Sequence, residues 1–116
     1  MTFPKDLTPY FHRKDLINET AQQIIKDFEL VGIKFIFKYN TQPPFEELVQ
    51  QMLPHISRLL ENKKLNRLLY RVDVSEGQLL RLMENNKTNL TEAITLLIIK
   101  RELQKVVIRN YYKKES

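Results

Sequence analysis

The sequence predicts a mainly α-helical protein: a bundle of four to five helices with a long C-terminal helix and one short extended segment, residues 33–39. Apolar residues recur at helical spacing along most of the 116 residues. Only two glycines are present, which disfavours an all-β fold because its tight turns need positive φ angles. The chain is long enough to bury one core and has no internal repeat or long linker. We therefore expect one helical domain over residues 1–116.

The first predicted helix covers residues 15–31 and follows a short N-terminal arm. The helix has one apolar stripe, and Gly32 stands where a C-cap glycine belongs. The arm contains Pro4, Pro9 and three aromatic side chains, so we expect it to be non-helical and packed against the domain.

Residues 33–39 alternate between two faces, as a strand does. One face consists of Ile33, Phe35, Phe37 and Tyr39, and the other of Lys34, Ile36 and Lys38. A strand needs partners for its backbone N–H and C=O groups. Three arrangements are open: pairing with residues 70–74 of the same chain, antiparallel pairing with the same segment of a second molecule, or an extended connector without a ladder.

Three helices are predicted in the middle of the chain. The helix that begins near Phe45 keeps its apolar phase across Pro54, so the proline should kink this helix rather than end it. After a break at residues 62–64, a shorter helix covers residues 65–72. Ser75 and Gln78 have the spacing of a capping box at the start of the next helix, which ends near Glu84.

The last predicted helix covers residues 90–113, or about 35 Å at 1.5 Å per residue. Its first half is apolar on nearly every side, which is typical of a helix enclosed by others. Its second half carries further apolar residues, among them Val107 and Tyr111, and such a surface usually marks a contact. These two residues and the apolar face of residues 33–39 form the candidate homodimer interface.

Positive charge is concentrated in the second half of the chain. Residues 1–62 hold seven Lys/Arg and eight Asp/Glu, whereas residues 63–116 hold twelve and six. Four cations stand four residues apart on the last helix: Arg101, Lys105, Arg109 and Lys113. This basic row, with about 6 Å between neighbours, is a candidate surface for anions or nucleic acid, because phosphates would neutralise it. The alternative is a solvated face near a helix C-terminus, where cations are favourable.

Residues that carry enzyme chemistry are sparse in this sequence. The chain has no cysteine, and its two histidines, His12 and His55, lack the spacing of metal ligands. No glycine-rich phosphate loop and no paired acid and base are visible. We therefore expect no catalytic residues, no metal and no cofactor.

These patterns predict a non-enzymatic, cytoplasmic protein that forms a homodimer and binds another protein or holds an assembly together. The alternative is a nucleic-acid-binding protein that uses the basic row. No apolar run is long enough to span a bilayer and no apolar signal-peptide core is visible, so we expect no membrane partner.

Overall fold

The structure is a computed structural model that describes residues 6–38, 43–85 and 89–115, apart from the side chains of Glu76 and residues 113–115. In these ranges a single 3-10 turn (Thr8–Tyr10) precedes five α-helices, and no residue is in a β-strand. The helices are α1 (Lys14–Leu30), α2 (Pro44–Glu61), α3 (Leu65–Val72), α4 (Glu76–Asn85) and α5 (Leu90–Glu115). The predicted helical bundle with a long C-terminal helix is confirmed.

Helix α5 is the central element, because it packs against each of the other four helices. Ile98, Ile99, Leu103 and Val106 on this helix are fully buried. Each such side chain contributes about 1.5–3 kcal/mol by leaving water. The apolar faces of α1, α2 and α3 complete the core around it. Within the described part of the chain, no helix has both the length and the apolar character needed to cross a membrane.

Three helices end in a residue with left-handed backbone. Gly32, with φ of 83°, follows α1, and the N–H of Ile33 donates to the carbonyl of Phe28 at 2.8 Å, which confirms the predicted glycine cap. After α2 and α3 the same conformation falls on Lys63, with φ of 57°, and on Asp73, with φ of 70°. These two positions are strained because a side chain disfavours the left-handed region.

The structure also tests three other local predictions: the capping box, the helix through Pro54 and the packed arm. The N–H of Gln78 donates to Oγ of Ser75, and the N–H of Ser75 donates to Oε1 of Gln78, both at 3.1 Å. The capping box is therefore confirmed. Helix α2 continues through Pro54 to Glu61, as the unbroken apolar phase indicated. In the arm, the ring of Phe11 stacks on Phe45 with 4.0 Å between centroids, so the arm packs on the domain.

Residues 33–38 are extended and anchored to the bundle. Phe35 is buried while Lys34 and Ile36 are exposed, and this alternation is that of extended backbone. The ring of Phe35 lies 5.2 Å from Phe28 of α1 and 5.3 Å from His55 of α2. Pairing with residues 70–74 does not occur, because residues 70–72 belong to α3 and residue 73 ends that helix. Tyr39 lies outside the described residues.

Candidate functional site

The described cations of the basic row on α5 already have carboxylate partners. Nη2 of Arg101 lies 2.9 Å from Oδ2 of Asp73, in the turn after α3. Nη2 of Arg109 lies 3.6 Å from Oε2 of Glu19 on α1. Each of these pairs joins α5 to another part of the bundle, so these charges contribute to tertiary structure.

Lys105, the middle cation of the row, is bound to a buried carboxylate. Its Nζ lies 2.7 Å from Oε1 of Glu102, a side chain with no exposed surface. The side chain of Lys113 lies outside the described residues. The structure therefore brings Arg101, Lys105 and Arg109 onto one helix as predicted, but it surrounds them with negative charge.

Glu102 and Asp27 form a buried pair of acidic side chains between α5 and α1. Oε2 of Glu102 and Oδ2 of Asp27 are buried, and neither has a hydrogen-bond partner within the described part of the chain. Burial raises the pKa of Glu102 to about 7; Lys105 opposes this rise, and the nearby charge of Asp27 adds to it. The pair is enclosed in the core, so its chemistry concerns the stability of the fold.

A second group of cations lies on α3 and at Lys64 directly before it, and it has no such partners among the described residues. We define the basic α3 face as Lys64, Arg67, Tyr70 and Arg71. Lys64, Arg67 and Arg71 are exposed and form no ion pair within the residues that the structure describes. The nearest acidic residue that follows, Asp73, is held by Arg101. The positive charge of this face is therefore directed to solvent.

Tyr70 is 85% exposed, the largest value among the exposed large hydrophobic side chains. It stands beside a groove of about 370 Å³ between the end of α1 and α3, which is also lined by Leu30, Val31, Arg67 and Arg71. Leu30 is itself more than half exposed. An apolar groove with two guanidinium groups at its edge is a better binding surface than the ion-paired row on α5.

The basic α3 face was not among the predicted sites, although the sequence contains a signal for it. Residues 62–72 carry four cations and no acidic residue. The apolar stripe of α3 uses Leu65, Leu68, Leu69 and Val72, all buried. Helical geometry then places Arg67, Tyr70 and Arg71 on the opposite side.

The predicted dimer residues are distributed between core and surface. Phe35 and Val107 are buried in the chain's own core, and Ile33 and Phe37 are half-buried. The second half of α5 is thus covered by its own chain more fully than expected, since Leu103 and Val106 are buried as well. Tyr111 is about half exposed.

The extended segment offers backbone groups rather than a large apolar surface. Lys34, Phe35 and Ile36 make no hydrogen bond within the described ranges. At Lys38, in contrast, the side chain of Gln51 pairs with the backbone: its Oε1 accepts from the N–H at 2.9 Å, and its Nε2 donates to the carbonyl. The available edge is therefore confined to residues 34–36, where Ile36 is 58% exposed.

The two histidines occupy different environments. His12 is exposed in the arm, whereas the ring of His55 packs edge-on against Phe28 and Phe35. Burial lowers the pKa of His55, and the charge of Arg58 lowers it further. Among the described residues, no three His, Cys, Asp or Glu side chains are grouped so that they could hold a metal ion.

Comparison with known proteins gives no relative for this chain. It matches no protein-family model, no curated protein and no solved structure.

Proposed function

We propose that this protein is a non-enzymatic, cytoplasmic homodimer that acts as a protein-interaction or scaffold module. In this proposal the predicted segment, residues 33–39, pairs antiparallel with its copy across a twofold axis, and residues 34–36 supply the pairing groups. The observation that supports it is the backbone of Lys34, Phe35 and Ile36, which is extended and makes no hydrogen bond in the described part of the chain.

Extended backbone with unused N–H and C=O groups is a template for another strand. The burial of Phe35 against Phe28 fixes the segment, which lowers the entropy lost when a partner binds. A twofold axis needs only one surface, since the same edge serves both molecules. Gln51 occupies the pairing groups at Lys38 and so limits the length of the ladder.

The test is the molecular mass in solution, measured by sedimentation equilibrium. We expect a dimer at tens of micromolar for the wild-type chain. Ile36→Pro removes one N–H from the edge, so we expect a monomer with unchanged helical circular dichroism.

A second variant separates pairing from local distortion. Ile36→Lys keeps the backbone but places two like charges near the axis, so it should weaken the dimer. Leu80 on α4 is equally exposed, at 59%, and Leu80→Lys should leave the mass unchanged. A wild-type chain that sediments as a monomer would contradict the homodimer.

Nucleic-acid binding is the second candidate function, and one observation favours it: the cations of the basic α3 face have no carboxylate partners in the part of the chain that the structure describes. The row on α5 supports it less. A phosphate bound there would compete with Asp73, Glu102 and Glu19 for the same cations.

A further inference from the structure

The basic α3 face combines positive charge with an exposed aromatic ring. Lys64, Arg67 and Arg71 lie along about 10 Å of helix axis at 1.5 Å per residue. Arg67 and Arg71 are one turn apart and repel each other by a few tenths of a kcal/mol. An anionic ligand would relieve this repulsion, because no side chain among the described residues forms an ion pair with either arginine.

The ring of Tyr70 decides which anionic ligand fits this face. A segment rich in Asp and Glu would satisfy the arginines but would leave the exposed ring without a matching group. A single-stranded nucleic acid supplies both phosphates and flat bases, and each base stacked on an aromatic side chain adds affinity. Leu30 and Val31 extend the apolar surface of the groove beside the ring.

We infer that the basic α3 face binds single-stranded nucleic acid, with Lys64, Arg67 and Arg71 at the phosphates and Tyr70 stacked on a base. This inference gives the second candidate function a site and is independent of the homodimer. Duplexes are expected to bind less well, because their bases are stacked on each other and do not present a free face.

The experiment is fluorescence anisotropy with labelled twelve-nucleotide single strands, one of DNA and one of RNA. We expect binding at low salt to at least one of them, with an affinity that falls steeply as salt rises. Arg67→Gln with Arg71→Gln should weaken binding at least tenfold and reduce the salt slope by about 1.4, since each lost phosphate contact removes about 0.7.

Tyr70 provides a test that charge alone would not affect. Tyr70→Ala should weaken binding by about tenfold with the salt slope unchanged, because stacking does not release counterions. Tyr70→Phe keeps the ring and should bind within a factor of about three of the wild type.

The matched control is Arg101→Gln with Arg109→Gln, which removes the same charge from α5. This double variant should bind within about threefold of the wild type, because its cations are already paired. Equal losses in both double variants would overturn the site. Absence of binding at low salt would also overturn it. A third contradicting result is that polyglutamate displaces the strand and Tyr70→Ala has no effect on binding. Ile36→Lys should bind normally, which separates this site from the dimer edge.

Discussion

The row on α5 and the basic α3 face carry similar charge at similar helical spacing, yet their surroundings differ. Each described cation of the row has a carboxylate within 4 Å: Asp73, Glu102 or Glu19. The cations of the α3 face have none within the described residues. Position explains two of the three pairs, because α5 packs against the other helices and so meets Asp73 after α3 and Glu19 on α1, whereas Glu102 lies on α5 itself. The cations of the α3 face are exposed and meet no carboxylate among the described residues.

This difference shows that helical spacing alone does not identify a binding surface. Charges on a central helix become part of the tertiary structure, and charges on a peripheral helix remain available to a ligand. Substitutions in the row should therefore change the free energy of unfolding, and substitutions in the α3 face should not.

Lys105→Met is expected to have the largest effect on stability. It leaves the buried charge of Glu102 without its partner, which should lower the free energy of unfolding by about 2–3 kcal/mol at pH 8. At pH 5 the loss should be below about 1 kcal/mol, because Glu102 is then protonated. Urea denaturation followed by circular dichroism measures both values.

The matched control for this substitution is Arg67→Met on the α3 face, which should change stability by less than about 0.5 kcal/mol at either pH. If Lys105→Met costs the same at pH 5 and pH 8, the packing of the lysine stem rather than its charge is responsible.

Glu102→Gln should raise stability at alkaline pH. The pKa of Glu102 is about 7 in the folded protein and about 4.5 in the unfolded chain, so between these values the folded state binds more protons. The free energy of unfolding therefore falls as pH rises through this window. Glutamine stays neutral and offers an N–H donor to Asp27, so the variant should be more stable by about 1–2 kcal/mol at pH 8.

The stability gap between Glu102→Gln and the wild type should close towards pH 5. The lowered pKa of His55 acts in the opposite direction, since its protonation in acid destabilises the fold. This effect is common to both proteins and cancels in the comparison. A glutamine variant that is less stable at pH 8 would mean that the carboxylate contributes to the fold through its bond to Lys105.

Most of the fold was predictable because it depends on residues that are close together in the sequence. The capping box at Ser75 and the glycine cap at Gly32 depend on residues within five positions of each other. The left-handed ends at Lys63 and Asp73 were not predicted, because neither residue is glycine. Each helix nevertheless ends with the same local bond as α1, from the N–H of Lys64 to the carbonyl of Leu59 and from the N–H of Val74 to the carbonyl of Leu69.

The candidate surfaces were less predictable because they depend on contacts between residues that are distant in the sequence. Arg101 pairs with Asp73, 28 positions away, and Nδ2 of Asn110 donates to Oε2 of Glu19, 91 positions away. Glu102 lies four residues from both Ile98 and Val106 on the buried face of α5. That spacing was a local signal for its burial.

Lys63→Gly should raise the free energy of unfolding, by less than the changes expected at Lys105 and Glu102. Glycine adopts the left-handed backbone without strain, and after the entropy cost of glycine we expect a gain of about 0.5–1 kcal/mol. Asp73→Gly gives less relief, because Asp adopts the left-handed region more readily than Lys, and it also loses the pair with Arg101, so its net change should be near zero. The difference between the two variants in urea denaturation is an upper limit for the contribution of the pair.

The control for these two variants is Lys64→Gly. Lys64 has φ of −109°, where glycine gains nothing and only adds entropy to the unfolded chain. A gain at Lys64 equal to that at Lys63 would show that left-handed strain is not the cause.

The smallest expected effect comes from removing two charges of the α3 face. Arg67→Gln with Arg71→Gln should leave the free energy of unfolding unchanged or raise it by a few tenths of a kcal/mol, because it removes only repulsion. Arg101→Gln with Arg109→Gln removes the same charge but should lower stability by up to about 1 kcal/mol, because two ion pairs are lost. Both double variants are measured by urea denaturation at the same pH and salt. Opposite signs would show that the two surfaces differ in what their charges contact, and equal losses would show that α3 also holds its arginines by internal contacts.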